Sequence, residues 1–446
     1  MAKGVPGPAL PAKNDISGVL AIPAFRKLWW NLSLSSLGDW LGLLATTALA
    51  KQFAGSSYSK ANVAIAGVFI VRLLPSVLIG PFAGVIADRF DRRRLMYVGD
   101  TVRGLLTISI PLIYTYWWLY TSIALIEIVG LFWGPAKDAT VPNLVPRERL
   151  PAAYQASLIG TYGSAPVAAV LFSLMAIVSN ALAVPFPFFK GNQVNLAIYI
   201  DGITGFYSAY TIYHLKGIPK IKGRGEKKSS NMLTDLLDGW KFVGKTPVIR
   251  ALIVGMFGAF VAGGVIIGLG RTFVSDLGGG NAAYGVLFGA LFLGIALGMW
   301  LGPKLFSGSA KGTLFGLSLI SAGASLAILA LIPNLVVALV MIVILGSCTG
   351  LAWVIGFTTL GTEVNDSVRG RTFAFVNSLV RVTLISVLAV APLIAAAIGK
   401  HTFNLGSFAL KYNGVEGTFL LGGLFALVVG LLSYYQMRNQ KGKASK

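Results

Sequence analysis

Two histidines and one cysteine in 446 residues leave almost none of the side chains that build metal centres and disulfides. Cys348 has no second thiol in the chain, so no intrachain disulfide forms. His214 and His401 belong to no His/Cys cluster with ligand spacing, and no Ser/His/Asp set can be assembled around them. Charge is scarce as well. Only 12% of residues are Asp, Glu, Lys or Arg, and 16 of them are acidic. Soluble domains carry roughly 25% charged residues. These shortages argue against an enzyme, a metal site or a resident cofactor, and against a soluble fold.

Apolar sequence takes the place of what is missing. The chain is 55% hydrophobic with a mean hydropathy of +0.75. Apolar runs bounded by charged or turn residues fall at 28–51, 62–87, 95–115, 117–140, 152–179, 194–215, 249–271, 282–304, 311–332, 335–361, 371–399 and 416–437. Each is about the length that crosses ~30 Å of hydrocarbon at ~1.5 Å per residue. The reading is an all-α integral membrane protein with twelve transmembrane helices. An even number of crossings puts both ends on one side.

Basic residues choose that side. With both ends cytoplasmic, 28 of the 37 Lys and Arg residues face the cytoplasm, six face outward and three (Arg72, Arg103 and Arg381) lie within spans. Cytoplasmic loops of membrane proteins carry this excess of Lys and Arg. The net charge of +21 therefore calls for no nucleic acid partner. Trp29 and Trp30 open span 1, Tyr114 to Tyr120 cluster at the turn after span 3, and Tyr434 and Tyr435 close span 12. Such aromatics favour the headgroup layer.

The chain divides into a Pro/Gly-containing polar arm without regular structure and without a cleavable leader (1–27), six spans (28–215), a linker (216–248), six more spans (249–437) and a basic tail (438–446). Within the linker, Ser230 is placed to cap an amphipathic helix with Leu233, Leu236, Leu237, Trp240 and Val243 on one face. The two halves echo each other. Leu131-Phe-Trp133 precedes Arg147-Glu-Arg149 and Gln155, and Leu351-Ala-Trp353 precedes Arg369-Gly-Arg371 and Asn377 at nearly the same spacing.

Between spans 2 and 3 stands Gly80-Pro-Phe-Ala-Gly84-Val-Ile-Ala-Asp88-Arg89-Phe-Asp91-Arg92-Arg93-Arg94. It resembles the loop between helices 2 and 3 of the major facilitator superfamily, Gly-x-x-x-Asp-Arg-x-Gly-Arg-Arg. Gly84, Asp88, Arg89, Arg92 and Arg93 fit, and Asp91 replaces the second glycine. Ser35-Ser-Leu-Gly-Asp39-Trp40, Phe132-Trp-Gly-Pro-Ala136 and Val368-Arg-Gly-Arg371 resemble the branch that holds bacterial multidrug and siderophore exporters, including actinobacterial members. In span 5, Gly160, Gly163 and Pro166 resemble part of an antiporter motif, with Ala168 and Ala169 in place of its later glycines.

The resemblance implies two six-helix bundles related as parallel repeats. It also implies a gating latch: Asp88 against the start of helix 11 near Arg369–Thr372, and Arg92 paired with Asp138. A carboxylate at a helix amino end gains about 0.3–1 kcal/mol.

Charge at bilayer depth costs about 2.5–3.5 kcal/mol per residue on insertion scales. Asp39, Arg72, Arg103, Glu127 and Arg381 would together cost on the order of 15 kcal/mol facing lipid, so they face protein or water. Counting along the spans puts Asp39 and Arg72 near the midplane and makes a pair between them reasonable, with Glu127 and Arg381 at similar depth. These four are the candidate cavity and coupling residues, expected between the two halves, and an ion pair locking helices 1 and 2 is the structural alternative. Asp100 and Arg103 share a face of span 3, where a local pair competes with a substrate role. The glycines at 80/84, 264/268 and 294/298/302 read as helix-packing positions.

The expected function is secondary transport of a small amphipathic molecule by alternating access, outward, with protons carried on Asp39 or Glu127 as the coupling ion. The protein is expected to act as a monomer among membrane lipids in a bacterial cytoplasmic membrane. Lysolipid transfer between leaflets and a non-transporting receptor or scaffold are the alternatives.

Overall fold

A computed structural model describes residues 16–79, 90–138, 140–146, 149–182, 184–185, 194–215, 247–305, 311–332, 334–363, 366–405 and 408–444. Twelve helices of 19 residues or more follow one another among them. They are α1 (Pro23–Ala54), α2 (Tyr58–Leu78), α3 (Arg92–Ile113), α4 (Tyr116–Asp138), α5 (Leu150–Leu182) and α6 (Asn195–His214), then α7 (Pro247–Asp276), α8 (Asn281–Leu305), α9 (Lys311–Leu329), α10 (Leu335–Glu363), α11 (Asp366–Ile398) and α12 (Gly414–Ala444). Each matches one apolar run. Eight are long and apolar enough to cross a membrane by length and composition. Of the others, α1, α3 and α6 are diluted by Asp39, by Asp100 and Arg103 and by Asp201, and α11 carries the shorter apolar stretch Val382–Ile398 among the described residues.

The surface is inverted relative to a soluble protein. Leu112, Leu331, Val336, Val428 and Trp117 are all more than half exposed. A broad apolar exterior of this kind marks a surface made for lipid.

The chain forms two compact units, divided within α1, α2 and α5: residues 1–43, 74–168 and 195–226, and residues 44–73, 169–194 and 227–446. In the first unit α3 packs on α4 and α6, and in the second α9 packs on α10 and α12. The α3–α6 and α9–α12 contacts are repeats of one another. Gly104 and Gly202 meet in the first, so that a Cβ on Gly104 would stand 2.9 Å from the Gly202 carbonyl. Gly323 and Gly423 meet in the second, with the corresponding distance 2.8 Å. Without a hydrophobic drive between helices in lipid, such small residues permit close backbone packing. Gly294 and Gly298 serve α8 against α10, and Gly264 and Gly268 serve α7 against α11, as the sequence predicts.

Asp91 explains the loss of the glycine. Its extended backbone (φ −62°, ψ 115°) precedes α3, and its carboxylate accepts from the Arg94 N–H at 2.9 Å. The residue caps a helix instead of making a tight turn.

Two expectations need correction. Residues 16–27 are not a structureless arm: Ile16–Leu20 is helical and α1 begins at Pro23. Val19 and Phe25 are wholly buried with Leu28, Val141, Val145, Ala152, Ala153, Ala156 and Leu215. Enough apolar residues recur there to make a buried face, and burying a Phe is worth about 1.5–3 kcal/mol. The basic tail continues α12 as far as Ala444.

The link between α11 and α12 is a hairpin, β1 (Lys400–Leu405) and β2 (Phe408–Asn413), antiparallel with Lys400 opposite Asn413. Gly80, Gly84, Asp88, Arg89 and the linker helix around Ser230 lie outside the described residues.

Candidate functional site

A polar cluster is built by α1, α3, α4 and α6 of the first unit. Arg103 Nη2 donates to Asp39 Oδ1 at 2.5 Å, and Arg103 Nη1 stands 3.6 Å from Asp100 Oδ1. One guanidinium therefore bridges two carboxylates. The environments of those two differ: the Asp39 side chain is 41% exposed and that of Asp100 is 1% exposed. Asp100 Oδ2 accepts from Trp133 Nε1 at 3.1 Å and from the Ser208 hydroxyl at 2.5 Å. The Ser208 oxygen in turn accepts from Asn31 Nδ2 at 3.0 Å. Buried carboxylates persist only when paired and hydrogen-bonded, and Asp100 is both. Glu127 and Asp201 add their negative fields at Arg103.

Asp201 is the residue that the sequence reading passes over. It lies within α6 and faces α1, where Gly38 and Gly42 make room for it. A Cβ at Gly38 would stand 2.8 Å from Asp201 Oδ1, and one at Gly42 would collide with Oδ2. The available signal was an acid inside an apolar run, opposite glycines spaced four apart on another helix.

The structure brings together Asp39, Asp100 and Arg103, with Glu127 in electrostatic reach. Asp39 takes its ion pair from Arg103 of α3, where counting along the spans offers Arg72 of α2. Arg72 is half-buried and falls in the second unit. Of Arg381, Arg92 and Asp138 only the helical backbone is described. Arg93 binds the end of α6 instead: its Nε donates to the Ile212 carbonyl at 3.4 Å, and its guanidinium lies 5.6 Å from the Tyr213 ring centroid. A cation there complements the carbonyl end of the helix dipole.

The second half lacks this chemistry at the matching places. The glycine pairs of the α3–α6 and α9–α12 contacts are offset by 219 and 221 positions. An offset of 219 takes Asp100 to Leu319 and Arg103 to Ala322, both buried. Trp353, the counterpart of Trp133, packs against Phe260 and Phe357.

In the second unit, polar contacts join the ends of α1, α2 and α5 that lie farthest from the chain termini to α7, α8 and α12. Thr272 donates to Asn62 Oδ1 at 2.8 Å, Ser173 to the Ala282 carbonyl at 2.9 Å, and the Val415 N–H to the Tyr58 hydroxyl at 2.8 Å. The Thr47 and Tyr284 hydroxyls meet at 3.3 Å.

One further sequence feature, Gly239-Trp-Lys-Phe-Val-Gly244-Lys245-Thr246, has the letters of a phosphate-binding loop. Such a loop follows a strand, whereas the residues before it carry helical periodicity. It lies outside the described residues.

Comparison with known proteins places these features in a family. A model of the Major Facilitator Superfamily matches residues 28–387. The MFS-type transporter YfiS of Bacillus subtilis is 25% identical over 49% of this chain and 48% of its own length. Macrolide efflux protein A of Enterococcus faecalis is 26% identical over 42% and 54%. The chain thus spans about half the length of these curated relatives. An MFS-type transporter of Mycobacterium bovis aligns over 86% of this chain and 87% of itself at 24% identity. Among solved structures, a bacterial homologue of the human lysosomal transporter Spinster, in an inward-facing conformation, matches with TM-score 0.69 and 16% identity, over 93% of this chain and 97% of the other. The nucleoside transporter NupG matches with TM-score 0.66 and 13% identity, over 91% and 98%.

Proposed function

Since the chain belongs to the major facilitator superfamily, with the family model spanning residues 28–387, we propose that it is a secondary transporter that exports a small amphipathic molecule across a bacterial cytoplasmic membrane. The observation that carries this reading is the bridge from Arg103 to Asp39 and Asp100 at helix positions well inside the apolar runs. Charges at that depth are retained at a cost of a few kcal/mol each, and they typically mark substrate or ion routes. Outward movement draws on the relatives, which include macrolide efflux proteins and a putative bacilysin exporter.

Proton coupling follows from an imbalance. One guanidinium is shared by two carboxylates, those of Asp39 and Asp100, and Glu127 and Asp201 add negative field at it. When all are ionised the group carries excess negative charge at low dielectric, and a proton or a cationic substrate relieves it. Of the two carboxylates on Arg103, Asp39 is the more exposed, so it is the one placed to exchange with water or substrate. The bridge constrains Asp39 while it is ionised, and protonation frees it from Arg103. The contacts from Thr272 to Asn62 and from Thr47 to Tyr284 serve as an outer gate that parts when the route opens outward.

Proteoliposomes with an imposed pH gradient test the reading. Labelled macrolides, peptides and lysolipids form the panel. Gradient-dependent movement of a macrolide or peptide is expected, and movement of lysolipid alone would shift the assignment to lipid transfer. A panel in which nothing moves faster than in protein-free vesicles would contradict transport.

A further inference from the structure

A second charged site lies in the second unit, at the ends of α1, α7 and α8 remote from the chain termini. A cleft of about 360 Å³ there is lined by Lys51 and Gln52 of α1, by Arg271 of α7 and by Asn281 at the start of α8. We propose that it is an anion-binding site, taking the carboxylate or phosphate group of a small amphiphile or a lipid on Lys51 and Arg271.

Arg271 is held for the purpose. Its Nη2 donates to Asn281 Oδ1 at 2.7 Å, and its guanidinium lies 5.8 Å from the centroid of the buried Tyr284 ring. This fixes the plane of the group. Two further donors, Nε and Nη1, are buried and have no partner among the described residues. Guanidinium donors are arranged for two-point contact with carboxylate or phosphate, and leaving them unmade is costly.

Among the charges that act on Lys51, Asp276 attracts while Arg271 and Lys400 repel, so the pair is only partly compensated. Lys51 lies in the electrostatic range of Arg271, Asp276 and Lys400. Asp276 is already bound by Lys400 at 3.0 Å. Among the described residues, no carboxylate lies within ion-pair distance of Lys51 or Arg271. Two cations around one cleft repel each other unless an anion sits between them. Ala48 and Val194 add apolar wall, which suits an organic anion with a short hydrocarbon part. The site is distinct from the Asp39–Arg103 cluster, and it stands whether or not the transport reading does.

The test uses the full chain in nanodiscs of phosphatidylcholine. Thermal unfolding is followed against inorganic phosphate and against benzoate at constant ionic strength, and again in discs containing phosphatidylglycerol. Stabilisation by a free anion identifies a soluble ligand. Stabilisation only by phosphatidylglycerol identifies a lipid headgroup. In either case Lys51→Gln should weaken the apparent affinity about tenfold, equivalent to about 1.4 kcal/mol, and Lys51→Glu should abolish the response. Lys51 is only half-buried, so these variants keep the test open even if Arg271→Ala fails to fold. Equal responses from wild type and Lys51→Glu, or no response of wild type in any arm, would overturn the proposal.

Discussion

Arg103 of α3 holds Asp39 of α1 at 2.5 Å and stands 3.6 Å from Asp100 on its own helix, so one cation ties two helices and a buried acid together. The two acids should respond differently to its removal. Arg103→Ala strands Asp100, whose side chain is 1% exposed, and breaking a buried pair in this way costs about 3–5 kcal/mol. Asp39→Asn leaves the Arg103–Asp100 pair intact and removes only a partly exposed partner, at a cost near 1 kcal/mol or less. Equilibrium unfolding in detergent should give that order, with Asp100→Asn recovering part of the loss in the Arg103→Ala background.

Gly42 and Asp201 make a second, steric relationship. A methyl group at Gly42 meets the Asp201 carboxylate. Gly42→Ala should destabilise by about 1–3 kcal/mol, the usual cost of overpacking. Asp201→Ala in the same chain should relieve most of it. A double-mutant cycle with no coupling would show that the two side chains do not share that space.

The amino-terminal cluster predicts a stability effect far from any charge. Phe25 is fully buried, so Phe25→Ala should cost about 3–5 kcal/mol. Trp30, 61% exposed, should tolerate Ala with a change within about 0.5 kcal/mol. Thermal unfolding of the two variants distinguishes an ordered amino end from a loose arm.

Gly285 of α8 fits against Ala169 and Ser173 of α5, where a Cβ would stand 2.7 Å from the Ala169 carbonyl. Gly285→Trp should wedge this end apart. In a Cys348→Ala background, a cysteine placed at Gln52 should then react faster with a membrane-impermeant maleimide. Unchanged labelling would argue against an outer gate at these contacts.

All twelve long helices could be read from the chain, because a crossing needs about 20 apolar residues and leaves a run that few other structures require. What could not be read was azimuth. Counting residues gives depth along the membrane normal, and both Arg72 and Arg103 fall in reach of Asp39 on that measure. Which of them turns toward α1 depends on how the helices are rotated and packed, and here that is set by glycine contacts such as Gly104 with Gly202. Asp201 stayed hidden for the same reason, since its importance rests on glycines of another helix. The hairpin at 400–413 and the packed residues 16–27 were obscured by shortness: a few apolar residues beside a long span look like a link.

If the carboxylates around Arg103 carry the coupling proton, substrate-driven proton flux reveals it most directly. Wild-type and Asp39→Asn proteins are placed in proteoliposomes with an internal pH dye, and a transported member of the panel is added. The expected result is a substrate-dependent pH change in wild type that Asp39→Asn abolishes while keeping its fold and its substrate binding. A pH change of equal size in Asp39→Asn would contradict proton coupling through this cluster.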